Sequence, residues 1–159
     1  MSDHKDGEQR ALEAIRAAGI AHSISRHGRV SSLAEAAAAR GVEPSGIVKT
    51  IVVRRADDDF LFVLVPGDRT ISWPKLRELL GVSRLSMPDA ATAKDVTGYE
   101  RGTITPFGSL RPWPVVADDR VRGTVSIGAG AHGVAATVDG AELARVLGAT
   151  VADVTEPEG

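Results

Sequence analysis

Lys49 is a lone cation inside the apolar run Ile47-Val48-Lys49-Thr50-Ile51-Val52-Val53. An ammonium group placed there must reach water at a rim, find an anion, or give up its charge. The ordinary outcome is the first, with the stem lying along apolar surface and the head in solvent. The histidines His22, His27 and His132 have neither cysteine nor clustered carboxylates beside them, so they read as surface or hydrogen-bonded groups and no metal site is expected. Asp57-Asp58-Asp59 and Asp118-Asp119 read as solvated turns. Gly128-Ala129-Gly130-Ala131-His132-Gly133 satisfies G-x-G-x-x-G, but a dinucleotide site needs a helix opening there, and Val134-Ala135-Ala136-Thr137-Val138 reads as a strand. The motif is therefore a glycine-rich turn whose small residues leave room beside a ligand, with His132 either reaching that ligand or facing water. There is no G-x-S-x-G elbow, H-E-x-x-H helix or P-loop.

The elements that must position these groups alternate irregularly. Glu8 to Ala18 has helical spacing with Gly19 as a stop, and Ile20 to Arg26 alternates like a strand with one wet face. Ser32 and Glu35 box the start of an alanine-rich helix that Gly41 ends. Val, Ile and Thr make the Lys49 stretch a strand, and the charged turn at 54–59 joins it to Phe60–Val65 as an antiparallel hairpin. Ser72 or Trp73 caps a helix with Pro74 in its first turn and Leu76, Leu79 and Leu80 inward, and Pro88 to Val96 forms another. Gly98 to Gly108 packs three glycines and Pro106 into a stretch with little to bury, so a structured loop is expected. The remainder reads β-β-α-β: strands at 115–117, 121–127 and 134–138, a helix boxed by Asp139 and Glu142, a strand at 150–154, and a frayed tail at 155–159. Without regular βαβ alternation, the class is α+β.

Composition sets the outer bounds. A chain of 159 residues, 43% hydrophobic and 25% charged, suits one domain with a single core, its ordered part at about 20–154. The absence of cysteine excludes a disulfide framework, thiolate-bound metal and a cysteine nucleophile, and fits a cytoplasmic protein. No apolar run reaches membrane-span length, and Met1 to Glu8 is polar. A net charge of −2 argues against coating nucleic acid by bulk electrostatics, while leaving room for a local patch that grips one end of an RNA.

The sequence resembles the YbaK/EbsC family of aminoacyl-tRNA editing domains, which includes stand-alone proteins and the insertion domain of bacterial prolyl-tRNA synthetase. The resemblance runs from about His22 to Val154. It rests on the lysine strand 47–53, the Gly-x-x-x-Pro loop Gly102-Thr103-Ile104-Thr105-Pro106, the glycine-rich turn from Gly128, and the helices around Ala34–Ala37 and Ala141–Leu147.

The resemblance implies a mixed, barrel-like curved β-sheet surrounded by helices. It also implies hydrolysis, in trans, of the ester of a misacylated tRNA, with tRNA-Pro carrying a small wrong amino acid such as Cys or Ala as the expected substrate. The alternative is a non-catalytic module that binds aminoacyl-tRNA or a synthetase. By the same resemblance Lys49 and Gly102 are the catalytic candidates. Lys49 would hold the substrate end, and backbone N–H groups at Gly102 would face the ester carbonyl. His27, Thr50, Thr103, Pro106, Gly128, Gly130 and His132 are the substrate-binding candidates. Gly128 and His132 stand where some relatives have a polar and a basic side chain, respectively. No cofactor is implied. The implied partners are the acceptor end of aminoacyl-tRNA and prolyl-tRNA synthetase, with no role for DNA or membrane.

Overall fold

The computed structural model describes residues 6–158; Met1 to Lys5 and Gly159, which belong to the polar start and the tail of the sequence reading, lie outside the described residues. Helix α1 (Gly7–Ala18) begins where the Asp6 carboxylate accepts the Gln9 N–H at 2.7 Å, and it buries Ala11, Leu12 and Ile15. Strand β1 (Ser23–Arg26) follows. Helix α2 (Leu33–Arg40) is capped by Ser32 and closed by Gly41 at φ 72°, where a left-handed residue is needed. Both stops were legible as glycines.

Strands β2 (Val48–Ala56) and β3 (Asp59–Pro66) form the expected hairpin, with Lys49 opposite Val65. After β4 (Arg69–Ile71) come helices α3 (Trp73–Leu80) and α4 (Ala90–Thr97). Strands β5 (Val115–Asp118), β6 (Thr124–Gly128) and β7 (Val134–Asp139) lead to α5 (Gly140–Val146), then β8 (Thr150–Ala152) and β9 (Thr155–Pro157). Among the described residues one sheet has the order β1-β7-β6, a second β2-β3-β5-β8, and a third pairs β4 with β9; the first two meet where Ile47 bridges Ser126. The result is a curved, mixed α+β sheet system. Among the described residues, no helix is long and apolar enough to cross a membrane.

Alternation along each strand divides the core in two. Val48, Val52, Phe62, Leu64, Val115 and Ala117 face Val125, Ile127, Ala136 and Val138 from the other sheet, with Ile15 of α1 and Leu143 of α5 packed among them. The opposite faces of β2, β3 and β5 send Val53, Leu61, Val63, Val65 and Val116 under Leu76 of α3 and Ile71 of β4. Full burial of such a side chain is worth roughly 1.5–3 kcal/mol, so β3, apolar on both faces, is the main spine.

Four sequence expectations are corrected. The tail does not fray at Thr155: residues Thr155–Pro157 pair antiparallel with Arg69–Ile71. The reason is Asp118, whose fully buried carboxylate accepts the Val154 N–H at 3.1 Å and the Thr155 hydroxyl at 3.0 Å, 36 and 37 residues along the chain. Arg120 and Lys75 neutralise the neighbouring Asp153, whose carboxyl is held down to about 2 by hydrogen bonds from Lys75 and then Arg120. Asp118 is thus no solvated turn residue. Leu79 is 39% exposed and does not join the core. Strand β6 starts at Thr124, because the Val121 N–H turns back to the Asp118 carbonyl and Gly123 sits at φ 71°.

Tyr99, the only tyrosine, anchors the loop that follows α4. It is 1% exposed, its hydroxyl donates to the Phe107 carbonyl at 2.7 Å, and the Arg10 guanidinium lies 4.9 Å from its ring centre. Arg10 also donates to the Gly98 and Gly108 carbonyls, pinning both ends of the loop to α1. Burial pushes the phenol up to about 12, against a smaller opposing pull from Arg10. A spectrophotometric titration should therefore show the single phenolate forming near pH 12 in the folded protein and near 10 after unfolding. Because the unfolded chain loses this proton first, stability should fall as pH rises from about 10 toward 12. A folded-state midpoint at 10 would contradict this burial.

Candidate functional site

The loop held by Tyr99 brings Gly102 against the turn between β6 and β7. Gly102 has φ 90°, a conformation open to glycine, and a side chain there would meet the His132 ring at 3.6 Å. The turn is fastened on two sides. The Gly130 N–H donates to the Thr103 carbonyl at 3.1 Å, and the His27 N–H at the end of β1 donates to the Gly133 carbonyl at 2.9 Å. The glycines serve close approach: a Cβ on Gly130 would lie 2.2 Å from the Gly7 carbonyl oxygen, and one on Gly133 would lie 2.4 Å from that of His27. No helix opens after the motif, and β7 begins at Val134 as expected.

These contacts enclose a cavity of about 570 Å³ lined by His27, Arg29, Arg40, Gly102, His132 and Gly133, among others. None of its lining residues is acidic. Arg40 ends α2 half-buried, and its Nε donates to His27 Nε2 at 3.4 Å. With Nε2 accepting, His27 Nδ1 carries the proton and donates to the Gly28 carbonyl at 2.8 Å, which fixes the ring. Burial lowers the pKa of Arg40, since a guanidinium loses hydration there. A smaller hollow of about 360 Å³ adjoins, lined by Thr103, Gly130, His132 and Glu100; His132 Nε2 lies 3.6 Å from the Glu100 carboxylate.

Lys49 stands apart from this cavity. Its Nζ donates to the Arg69 carbonyl at 2.6 Å and lies 3.8 Å from the Glu158 carboxylate, with 37% of the side chain exposed. It has found both a rim and an anion. Sheet register nevertheless relates its face to that of the glycine turn. Bridge partners share a face, so Ile47 and Ser126 do, and by alternation Lys49 and Gly128 lie on that same side of the curved sheet. Across β7, Gly128 and Ser25 both oppose Ala135, while Ser126 and Ser23 both oppose Thr137. This side is a trough of small residues.

At the Gly128 end of the trough lie the Thr103 and Ile104 carbonyls, 3.6 and 3.4 Å from where a Gly128 Cβ would stand. The Ser25 and Ser126 hydroxyls are buried in it without a hydrogen-bond partner, an arrangement that costs roughly 1–3 kcal/mol for each unsatisfied group.

Of the residues singled out in the sequence, His27, Gly102 and His132 come together around one cavity, and Thr103 and Gly130 border the next. Gly128 lines the trough. Pro106 is half-buried within the loop, followed by Phe107, whose N–H donates to the Thr105 hydroxyl at 3.3 Å. Thr50 is not brought to the group: it opposes Leu64 on the main-core side of β2, with its hydroxyl buried and unpartnered. Sequence reasoning missed Arg29, Arg40, Ser25 and Ser126. The wet alternation of β1 carried a signal for Ser25, whereas the sequence sets Arg40 apart from no other basic residue in a last helical turn.

The geometry can be set beside known proteins. Residues 27–146 match the family model of the aminoacyl-tRNA editing domain. The proline–tRNA ligase of Desulfovibrio desulfuricans is 34% identical over 135 residues, covering 85% of this chain and 21% of the ligase. That of Bacillus licheniformis is 31% identical over 103 residues, or 65% of this chain and 18% of the ligase. The chain thus spans about a fifth of the length of these relatives. Among solved structures, a candidate trans-editing enzyme for prolyl tRNA synthetase superposes with a TM-score of 0.84 at 25% identity, covering 99% of this chain and all of the other. A hypothetical protein superposes with a TM-score of 0.83 at 30% identity, covering 92% of this chain and 99% of the other. With a family match that includes His27, α2, β2, the Gly102 loop and the glycine turn around the cavity, the chain belongs to the aminoacyl-tRNA editing domain family.

Proposed function

We propose that the protein hydrolyses the ester of a misacylated tRNA, with tRNA-Pro carrying alanine or cysteine as the substrate. The observation that carries this reading is the Gly102 turn, at φ 90°, forming one wall of a cation-lined cavity that also holds His27 and His132. An aminoacyl ester is already activated, so its hydrolysis needs orientation and a stabilised oxyanion more than a strong protein base. Water adds to the ester carbonyl, the tetrahedral oxyanion forms, and the bond to the ribose oxygen breaks as that oxygen takes a proton. Backbone N–H at Gly102 and the Lys49 ammonium are the donors assigned to the oxyanion or the substrate end. The neighbouring ribose hydroxyl aligns the water.

Physical limits on selection support the choice of amino acid. A pocket built for proline cannot exclude a smaller side chain by size, since a missing methylene is worth only about 1–3 kcal/mol, and a second site must remove the product. The similarity of the chain to proline–tRNA ligases supports this choice of tRNA. In the trough, Ser25, Ser126, Ala135 and Gly128 are assigned to the amino-acid moiety, whose polar atoms would satisfy the two orphan hydroxyls.

A second reading, a module that binds aminoacyl-tRNA or a synthetase without turnover, is favoured by one observation: the Lys49 ammonium is already engaged by Arg69 and Glu158. A panel of tRNAs charged with wrong amino acids separates the two. Release of alanine or cysteine from tRNA-Pro above the spontaneous rate is the expected result. Binding of every charged tRNA with no release from any would favour the module.

A further inference from the structure

The cavity beside Gly102 has an electrostatic feature that the ester chemistry leaves unused. Arg26, Arg55, Arg111, Arg120 and Arg145 each pair with a carboxylate, at 2.5 to 3.2 Å where the distance is ordinary, although these side chains are 33% to 70% exposed. Arg40 is more deeply placed and does the opposite. Among the described residues its one side-chain hydrogen bond runs to His27, and no carboxylate lies within ion-pair reach. The His27 bond occupies Nε alone, leaving both terminal nitrogens of the fork for an anion. Arg29 lines the same cavity from the β1–α2 connection. A half-buried guanidinium without a counter-charge is unfavourable by itself, and a ligand anion offsets that cost at the moment of binding.

We infer that this cavity is a phosphate subsite in which Arg40 and Arg29 hold the 5′-phosphate group of the nucleotide that carries the ester. The assignment rests on the deacylase reading, because Gly102 on the same wall is what joins the phosphate to the aminoacyl end. At about 570 Å³ the cavity falls within the roughly 300–1,000 Å³ range of small-ligand clefts, larger than a phosphate alone requires. His27 acts as a positioning residue: its Nδ1–H is fixed on the Gly28 carbonyl, so Nε2 faces Arg40 and sets the orientation of the guanidinium plane. The planar fork makes Arg40→Lys a non-equivalent replacement.

The experiment is an NMR titration of the full chain with AMP, adenosine and inorganic phosphate, following the Gly102 and Gly133 amides and the Arg40 Nε–H. AMP should move all three resonances saturably, with adenosine and inorganic phosphate each at least 10-fold weaker. Arg40→Gln should weaken AMP at least 10-fold with an unchanged melting temperature. If that variant does not fold, Arg29→Gln, on an exposed side chain, should weaken AMP at least 3-fold. Equal affinity for AMP and adenosine, or folded variants that bind AMP like the parent, would overturn the subsite. Inorganic phosphate binding as tightly as AMP would overturn its assignment to a nucleotide. A deacylation assay run alongside keeps the readings apart. AMP-specific binding without deacylation removes the enzyme reading and leaves the subsite, and deacylation without AMP-specific binding removes the subsite alone.

Discussion

Replacing Lys49 by alanine is expected to slow single-turnover deacylation of misacylated tRNA by at least about 100-fold, the loss seen when one donor to a developing oxyanion is removed. The lysine shares its side of the sheet with Ser126 and Gly128 across the β2–β6 seam, and four rotatable bonds let its ammonium exchange the Arg69 carbonyl for a substrate oxygen. Little stability should be lost. The 3.8 Å contact with exposed Glu158 is worth little, and the hydrogen bond to Arg69 leaves behind a carbonyl at an accessible rim. A rate within threefold of the parent, at unchanged melting temperature, would confine Lys49 to fastening β4. Arginine at this position should not restore the rate, because a planar fork cannot follow the path of a compact ammonium.

The largest stability effect is expected at Asp118. Its side chain is fully buried and accepts hydrogen bonds from the Val154 N–H, the Thr155 hydroxyl and the Arg120 N–H and guanidinium. Asp118→Ala strands those donors and removes the tie between β5 and the C-terminal ribbon, at a cost of about 3–5 kcal/mol in urea-induced unfolding. Asp118→Asn should cost less, because its amide oxygen still accepts while its NH2 meets donors. Hydrogen exchange should rise at Arg69–Ile71 and Thr155–Pro157 before it rises in β3, since the ribbon loses its fastening first. A loss below about 1 kcal/mol for the alanine variant would mean that the ribbon is held by β4–β9 pairing alone.

The elements were legible where a local signal stood alone. Ser32 with Glu35, Asp139 before Glu142, and glycines 19, 41 and 81 mark helix ends that recur in the structure, because capping uses residues three apart. The β2–β3 hairpin followed from its apolar runs and the charged turn at 54–59, which in the structure tightens to 57–58 because Arg54 and Ala56 still pair across the hairpin. The C-terminal ribbon was not legible: Thr155-Glu156-Pro157 is polar, and what orders it is a carboxylate at position 118, far away in the chain.

The site divides the same way. Gly102 and the glycine turn stood out by composition and by resemblance, and the structure places Gly102 beside His132. Arg40 became visible only when folding set it in a cavity without a carboxylate. The position of Thr50 shows the converse, since adjacency to Lys49 in a strand puts it on the opposite face.

The most direct test is a side-by-side measurement of alanyl-tRNA-Pro and prolyl-tRNA-Pro with the protein in excess, counting amino acid released against time. Rapid release of alanine is expected, with a prolyl ester lasting at least about 10-fold longer, the discrimination available to a pocket that separates side chains by shape. Equal, spontaneous decay of both esters in the presence of protein that demonstrably binds the charged tRNA would contradict that expectation.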